Sequence, residues 1–401
     1  MTNNKVMPEV KSSKMTKILI VSHYFPPHVG GIQNVAYNEA KLLSEHGYKV
    51  TVVTSALPRV DNPISNNESF KTIRIPAWNI LEKRLGIPYP IFSPSLYITL
   101  KKEVAYADVI HVHGHVFIPS FISARIAKRN NKPLVLTQHN TFIEYKSKVL
   151  LYTQHMADRL LGKPTLRKAT KVIAISEATK QYIESILPIK PIVRHNNGVD
   201  IERFKPTKDQ KALRAELSLP ADKIICFTMR RITFKNGIDT LIETAKLLKF
   251  HPDILFVIGG KGSDLKLVQK MIIKEKLKNV KLLGAVSDEE LPRYYAASDI
   301  FILPSKKGEG FPLVILEALA SGLAIIATRS GGHVEIVENS KFGFIVDPNS
   351  PEQVANKIEY MSNKTSILKI MQKNARDYAI DNLSWGKNIS ELIGVFEEVN
   401  I

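Results

Sequence analysis

Short runs of Val, Ile and Leu recur along the chain, separated by longer stretches whose apolar positions fall three and four residues apart. The first pattern predicts buried parallel strands and the second amphipathic helices packed on them. In the first half the predicted strands are Lys17–Ser22, Lys49–Thr54, Phe70–Ile75, Val109–His113, Leu134–Thr137 and Lys171–Ile175. In the second half they are Ile224–Thr228, Ile254–Ile258, Val280–Leu283, Ile300–Leu303, Ala324–Ala327 and Phe344–Val346. Leu241-Ile-Glu-Thr-Ala-Lys-Leu-Leu248 is one of the helical faces between them. Strands and helices that alternate in this way predict an α/β fold of two doubly wound domains. A polar leader over residues 1–15 precedes a first domain over 16–203 and a second over 204–383, and a last helix over 384–401 follows the break at Asn382-Leu-Ser384. The join falls in the polar, proline-containing stretch Asp200–Asp222. The halves echo each other: Ala107-Asp-Val-Ile-His-Val-His113 has the pattern of Ser298-Asp-Ile-Phe-Ile-Leu-Pro304. Both strands aim their trailing residues at the carboxyl edge of a sheet, where open α/β sheets bind ligands.

The segment after Ile300–Leu303 is the most informative. Glu309-Gly-Phe-Pro-Leu-Val-Ile-Leu-Glu317 leads into Ala318-Leu-Ala-Ser-Gly322, which predicts a helix with Pro312 near its first turn and Gly322 just past its end. Leu313, Leu316, Ala320 and Leu323 supply its packing face. Glu317 is the only charged residue between Phe311 and Ala327, and a carboxylate in such surroundings needs hydrogen-bond donors. Glu309 stands where the helix begins, beside backbone N–H groups that attract anions. Eight residues of helical rise place the two carboxylates up to roughly 12 Å apart with an anion site between them. A nucleotide sugar has that layout, with hexose hydroxyls, a diphosphate and ribose hydroxyls in sequence.

Composition narrows the classes. The chain of 401 residues is 44% apolar and 23% charged, enough for two full cores. Its one cysteine, Cys226, lies in an apolar run, which excludes an internal disulfide and suits a reducing compartment. The leader is too polar for a signal peptide, and no apolar run reaches the roughly 18 residues of a membrane span. A soluble cytoplasmic protein is expected. The net charge of +18 is uneven: residues 1–200 carry 27 Lys+Arg against 13 Asp+Glu, and residues 201–401 carry 29 against 25. A polyanionic partner would therefore meet the first half, unless the charge serves only solubility.

Four further motifs carry chemistry. Tyr24-Phe-Pro-Pro-His-Val-Gly-Gly-Ile-Gln33 follows the first strand, and Gly30 and Gly31 let a backbone approach phosphate there, although taken alone these residues read first as a plain turn. Arg230 and Lys235 follow Ile224–Thr228 and suit a departing diphosphate, the alternative being a solvated turn. Gly259-Gly-Lys-Gly262, with Gly260 at its centre, follows Ile254–Ile258 and leaves room for a nucleoside against the main chain. His111, His113 and His115 alternate along a strand end, a spacing read as unable to bring all three to one metal, with His113 facing away from Ile110 and Val112. His139 ends the next strand in the same way. No Cys pair, H-x-x-x-H or Asp-x-Asp completes a metal site, so the expected metal and cofactor content is none.

Together these residues resemble the retaining glycosyltransferases of family 4, which have the GT-B fold, from about Lys17 to Glu398. The resemblance implies an acceptor-binding N-terminal domain, a donor-binding C-terminal domain and a final helix, Trp385–Val399, that crosses back. It implies catalytic roles for His113, Arg230, Lys235 and Glu309, with Glu309 on donor-sugar hydroxyls and His113 near the sugar. Glu317 would accept from the ribose. Main-chain groups of Gly310, Phe311, Leu313 and Val314 would meet sugar and phosphate, and Gly31 would close over the diphosphate. The reaction it implies moves a hexose-type sugar from a nucleotide-diphosphate sugar to a glycan, lipid-linked or other cell-envelope acceptor with retention and without a metal. The family usually has Lys-Gly where this chain has Lys235-Asn236-Gly237, which changes the local turn.

Two rivals share parts of this pattern. A nucleotide-sugar epimerase would use the same architecture without an acceptor. A basic nucleic-acid-binding protein would use the charge, but no helix-turn-helix or Arg-rich segment supports it, and no nucleic-acid partner is expected. Peripheral contact with an anionic membrane is a separate expectation. It rests on Leu81–Phe92 and Tyr145–Tyr152, which mix cations with bulky apolar residues.

Overall fold

The computed structural model describes residues 16–28, 30–57, 64–65, 69–85, 87, 89–142, 147–188, 192–306, 310–338 and 340–400. The expected leader, residues 1–15, and Glu309 lie outside the described residues. The strands of the first part of the chain are β1 (Lys17–Val21), β2 (Lys49–Ser55), β3 (Ile64–Ser65), β4 (Lys71–Ile75), β5 (Ala77–Trp78), β6 (Ile91–Phe92), β7 (Val109–His113), β8 (Leu134–Gln138), β9 (Lys171–Ala174) and β10 (Ile192–Arg194). Those of the second are β11 (Ile224–Met229), β12 (Ile254–Gly259), β13 (Val280–Gly284), β14 (Ile300–Leu303), β15 (Ala324–Thr328) and β16 (Gly343–Val346).

Every strand predicted from apolar runs is present, with ends that differ by at most one residue. The strands β3, β5, β6 and β10 were not predicted, because two or three residues are too few to show a period. The eight-stranded sheet runs β10-β9-β8-β7-β1-β2-β4-β3, with only β3 recorded as antiparallel to its neighbour. The six-stranded sheet runs β13-β12-β11-β14-β15-β16 and is parallel throughout. By contact density the chain divides into one unit of residues 1–136, 164–171 and 395–401, and a second of 137–163 and 172–394.

The six-stranded sheet is buried on both faces, as parallel sheets are. Side-chain alternation sends Ile225, Phe227 and Phe301 into one core with Leu316, while Cys226, Phe256 and Ile302 enter another with Leu241. Cys226 is a packing thiol, and burial pushes its pKa up. Asp299 fixes the start of β14 against β11: its Oδ2 accepts from the Ile225 N–H at 2.7 Å and from Arg214 Nη2 at 2.6 Å. Among the described residues no helix is long and apolar enough to cross a membrane.

Candidate active site at a strand switch point

The order of the six-stranded sheet creates a crevice. The chain leaves β11 towards β12 on one side and leaves β14 towards β15 on the other, so the loops after these adjacent parallel strands diverge. Such a switch point, beyond the carboxyl ends of the strands, is where open α/β sheets hold their ligands. Arg230, Lys235 and the segment from Gly310 onward all emerge here.

The two loops are tied together. Arg230 Nη1 donates to Ser305 Oγ at 2.8 Å. Lys306 Nζ pairs with Asp239 Oδ2 at 2.5 Å. Gly237 adopts φ 78°, and a Cβ there would lie 1.7 Å from the Pro304 carbonyl oxygen, so only glycine closes this contact. The extra residue at Asn236 is absorbed in a single 3-10 turn, Phe234–Asn236, with Asn236 Nδ2 donating to the Arg231 carbonyl at 2.7 Å. Asp264 Oδ2 accepts from the Phe234 N–H at 2.7 Å and anchors that turn, leaving Lys235 exposed. Gly260 has a backbone reason of its own: at φ 133° its Cβ position lies 1.9 Å from the Arg230 carbonyl oxygen. The two glycine-bearing loops interlock main chain to main chain.

The predicted helix spans Leu313–Ala320, with Pro312 as its N-cap and Gly322 at φ 72° just beyond its end. Its burial is wider than one face. Ile315, Leu316, Ala318, Leu319 and Ala320 are all fully buried, and Leu313 is only partly so. Arg376 Nη1 closes the far end, donating to the Ala320 carbonyl at 2.6 Å. Gly310 is tight against its surroundings: a Cβ would meet the His139 carbonyl oxygen at 2.0 Å, and the Gly332 N–H donates to the Gly310 carbonyl at 2.9 Å. Phe311 is buried, and Val314 is partly exposed.

Glu317 obtains the donor its setting requires from a residue the sequence did not point to. Tyr295 Oη, on the preceding helix Leu291–Ala296, donates to Glu317 Oε2 at 2.8 Å. Burial nonetheless pushes the Glu317 carboxyl up to about 7, against the opposing pull of Tyr295 and Arg203. Burial and the neighbouring carboxyl hold the Tyr295 hydroxyl well above its ordinary value, so it remains a donor. A group poised near neutral pH can accept from ligand hydroxyls when ionised.

The eight-stranded sheet has its own switch point between β1 and β7. Gly30 is the N-cap of the helix Gly31–Glu45, so both glycines sit at a helix N-terminus following β1. His113 ends β7 but faces inward. Its side chain is fully buried, with Nε2 3.3 Å from Glu39 Oε2. His111 and His113 also share one face, as residues two apart on a strand do. These two meet Glu39, while His115 lies beyond the strand end and is not part of the cluster.

Two family models match the chain: Glycosyltransferase Family 4 over residues 29–203 and Glycosyl transferases group 1 over residues 209–378. The UDP-Gal:alpha-D-GlcNAc-diphosphoundecaprenol alpha-1,3-galactosyltransferase of Escherichia coli is 28% identical, covering 95% of this chain and 97% of its own. The alpha-monoglucosyldiacylglycerol synthase of Acholeplasma laidlawii is 26% identical, covering 90% and 91%. Among solved structures, sucrose-phosphate synthase from Thermosynechococcus elongatus superposes with a TM-score of 0.77 at 21% identity, covering 96% and 98%.

Proposed function

Because the chain belongs to the group 1 glycosyltransferases and has their GT-B fold, we propose that it is a retaining hexosyltransferase. Its donor is a nucleotide-diphosphate sugar, and its acceptor is a glycan or a lipid-linked sugar. One observation supports the reading: Arg230 and Lys235 follow β11, the helix Leu313–Ala320 follows the adjacent strand β14, and Arg230 bonds Ser305 between the two loops. Two cations and a helix N-terminus are what a departing nucleoside diphosphate needs, so the transfer step uses no metal. Glu309 takes the donor-sugar hydroxyls and Glu317 the ribose hydroxyls, with main-chain groups of Gly310, Phe311, Leu313 and Val314 between them. Gly260 borders the nucleoside, and Gly30 and Gly31 keep a phosphate-approach role at the switch point of the other sheet.

The acceptor class follows the relatives, whose names specify a diphosphoundecaprenol-linked sugar in one case and a diacylglycerol lipid in the other. Peripheral contact with anionic membrane fits such an acceptor. Val149 and Tyr152 are 70% and 66% exposed beside Lys148, and Trp78 and Ile91 are also open to solvent. Such segments insert apolar side chains at a headgroup layer while cations meet its charge.

The test begins with a thermal-shift screen of nucleotide sugars, since a tight donor raises the melting temperature by mass action. The stabilising donor is then supplied with lipid-linked and free glycan acceptors, and the anomeric configuration of the product is read by NMR. Inverted product would refute retention, and turnover raised many-fold by added magnesium or manganese would refute the metal-free step. Isomerised donor without acceptor would favour an epimerase. Equal flotation with neutral and anionic vesicles would remove the electrostatic membrane contact.

A further inference from the structure

Glu39, His111 and His113 meet inside the first unit, and the transfer chemistry makes no use of the cluster. His111 and His113 project from the same face of β7, opposite Ile110 and Val112. Glu39 reaches them from the helix Gly31–Glu45. One carboxylate oxygen, Oε2, lies 3.4 Å from His111 Nδ1 and 3.3 Å from His113 Nε2. The imidazole centroids are 4.5 Å apart, and one donor atom from each of the three residues lies within 4.8 Å of the other two. Both histidines are 0% exposed and Glu39 is 2%.

A carboxylate so far from water requires a positive partner. Both separations exceed the roughly 2.7–3.2 Å of a direct N–H···O bond. They match something else. An ion held tetrahedrally at about 2.0–2.2 Å from nitrogen and oxygen ligands spaces those ligands about 3.3–3.5 Å apart. We propose that Glu39 Oε2, His111 Nδ1 and His113 Nε2 bind one divalent transition-metal ion of the zinc class. Two neutral imidazoles and a carboxylate form a donor set that zinc favours. A doubly charged ion neutralises the buried Glu39 carboxylate. The ion pins the helix Gly31–Glu45 to β7, next to the central strand β1, and its role is to brace that unit. Because the site is enclosed, the metal enters as the chain folds.

Protein produced in zinc-supplemented medium and washed with a mild chelator is analysed for metal by mass spectrometry. About one zinc per chain is expected, and growth with cobalt instead should give the visible absorption of a tetrahedral cobalt centre. Glu39→Gln and His113→Gln keep the side-chain volume close and should reduce the metal to background. Should either variant fail to fold, the wild-type chain still decides the matter through its melting temperature, which should fall after denaturation and refolding with a strong chelator and recover with zinc alone. Zinc content equal in wild type and folded Glu39→Gln would place any bound ion elsewhere. Wild-type protein that carries no zinc, or melts identically when refolded with and without it, would overturn the proposal. These readouts are independent of sugar transfer, so the site and the proposed activity stand or fall separately.

Discussion

Replacing Glu317 with Gln separates what the carboxylate does for a ligand from what it costs the fold. Burial raises its pKa from 4.5 to about 7, so between those values the folded protein keeps a proton that the unfolded chain has lost. The native state then binds more protons than the unfolded one, so stability falls as pH rises through this window and levels off above about 7. At about 1.4 kcal/mol per tenfold change, ionising Glu317 in the folded state at about pH 8 costs roughly 3 kcal/mol. Glu317→Gln has no proton to lose, and its side-chain oxygen can accept the same hydrogen bond from Tyr295. The variant should therefore gain up to about 3 kcal/mol relative to wild type on going from about pH 4 to about pH 8. Donor affinity should move the other way. If Glu317 holds the ribose as proposed, its hydroxyls lose a charged acceptor and binding weakens about tenfold or more at about pH 8. Urea denaturation of both proteins across this range, with calorimetric titration of the donor, measures both effects. Parallel stability curves would refute the titration of Glu317 in this window, and unchanged donor affinity would remove its ribose role.

Three further changes test neighbouring links. Tyr295→Phe removes the donor that lowers the Glu317 pKa, so the midpoint of the pH dependence of donor binding should move upward from about 7; titrations across pH check this. Lys235→Ala should lower kcat about 10²-fold with a smaller change in KM, measured by steady-state kinetics, as expected for one lost charge-stabilising group. Gly237→Ala places a Cβ 1.7 Å from the Pro304 carbonyl oxygen at a positive φ, and should lower the urea midpoint by the equivalent of more than about 1 kcal/mol.

Much of the fold was legible because its signals are local. The strands β7 and β14 appear in the sequence with their observed ends, as does the last helix Trp385–Val399. So does the stop at Gly322, where a left-handed backbone takes the one residue without a side-chain penalty. The need for a donor at Glu317 was legible as well, since an apolar segment cannot leave a carboxylate unpaired. The identity of that donor was not. Tyr295 lies 22 residues earlier on another helix, and only the packing of both on β14 brings them together. The buried cluster was not legible for the same reason: Glu39 is 74 residues from His113, and its arrival depends on how the helix after β1 lies against β7. The strand order, which creates the crevice at β11 and β14, is likewise a long-range property. Gly260 shows a subtler limit. Its glycine reads as space for a ligand, with no sign in the sequence that the Arg230 carbonyl also lies close to it.

The contacts of Gly237 with Pro304 and of Gly260 with Arg230 have an evolutionary corollary. Where one peptide unit already touches another, the floor of the crevice cannot be redrawn by small steps, because any added carbon forces both strands' exits apart. A change in what the crevice accepts must come from side chains that rise from this floor, such as the exposed Lys235, or from residues outside it. The side chains around the crevice are thereby free to vary while its backbone floor stays fixed.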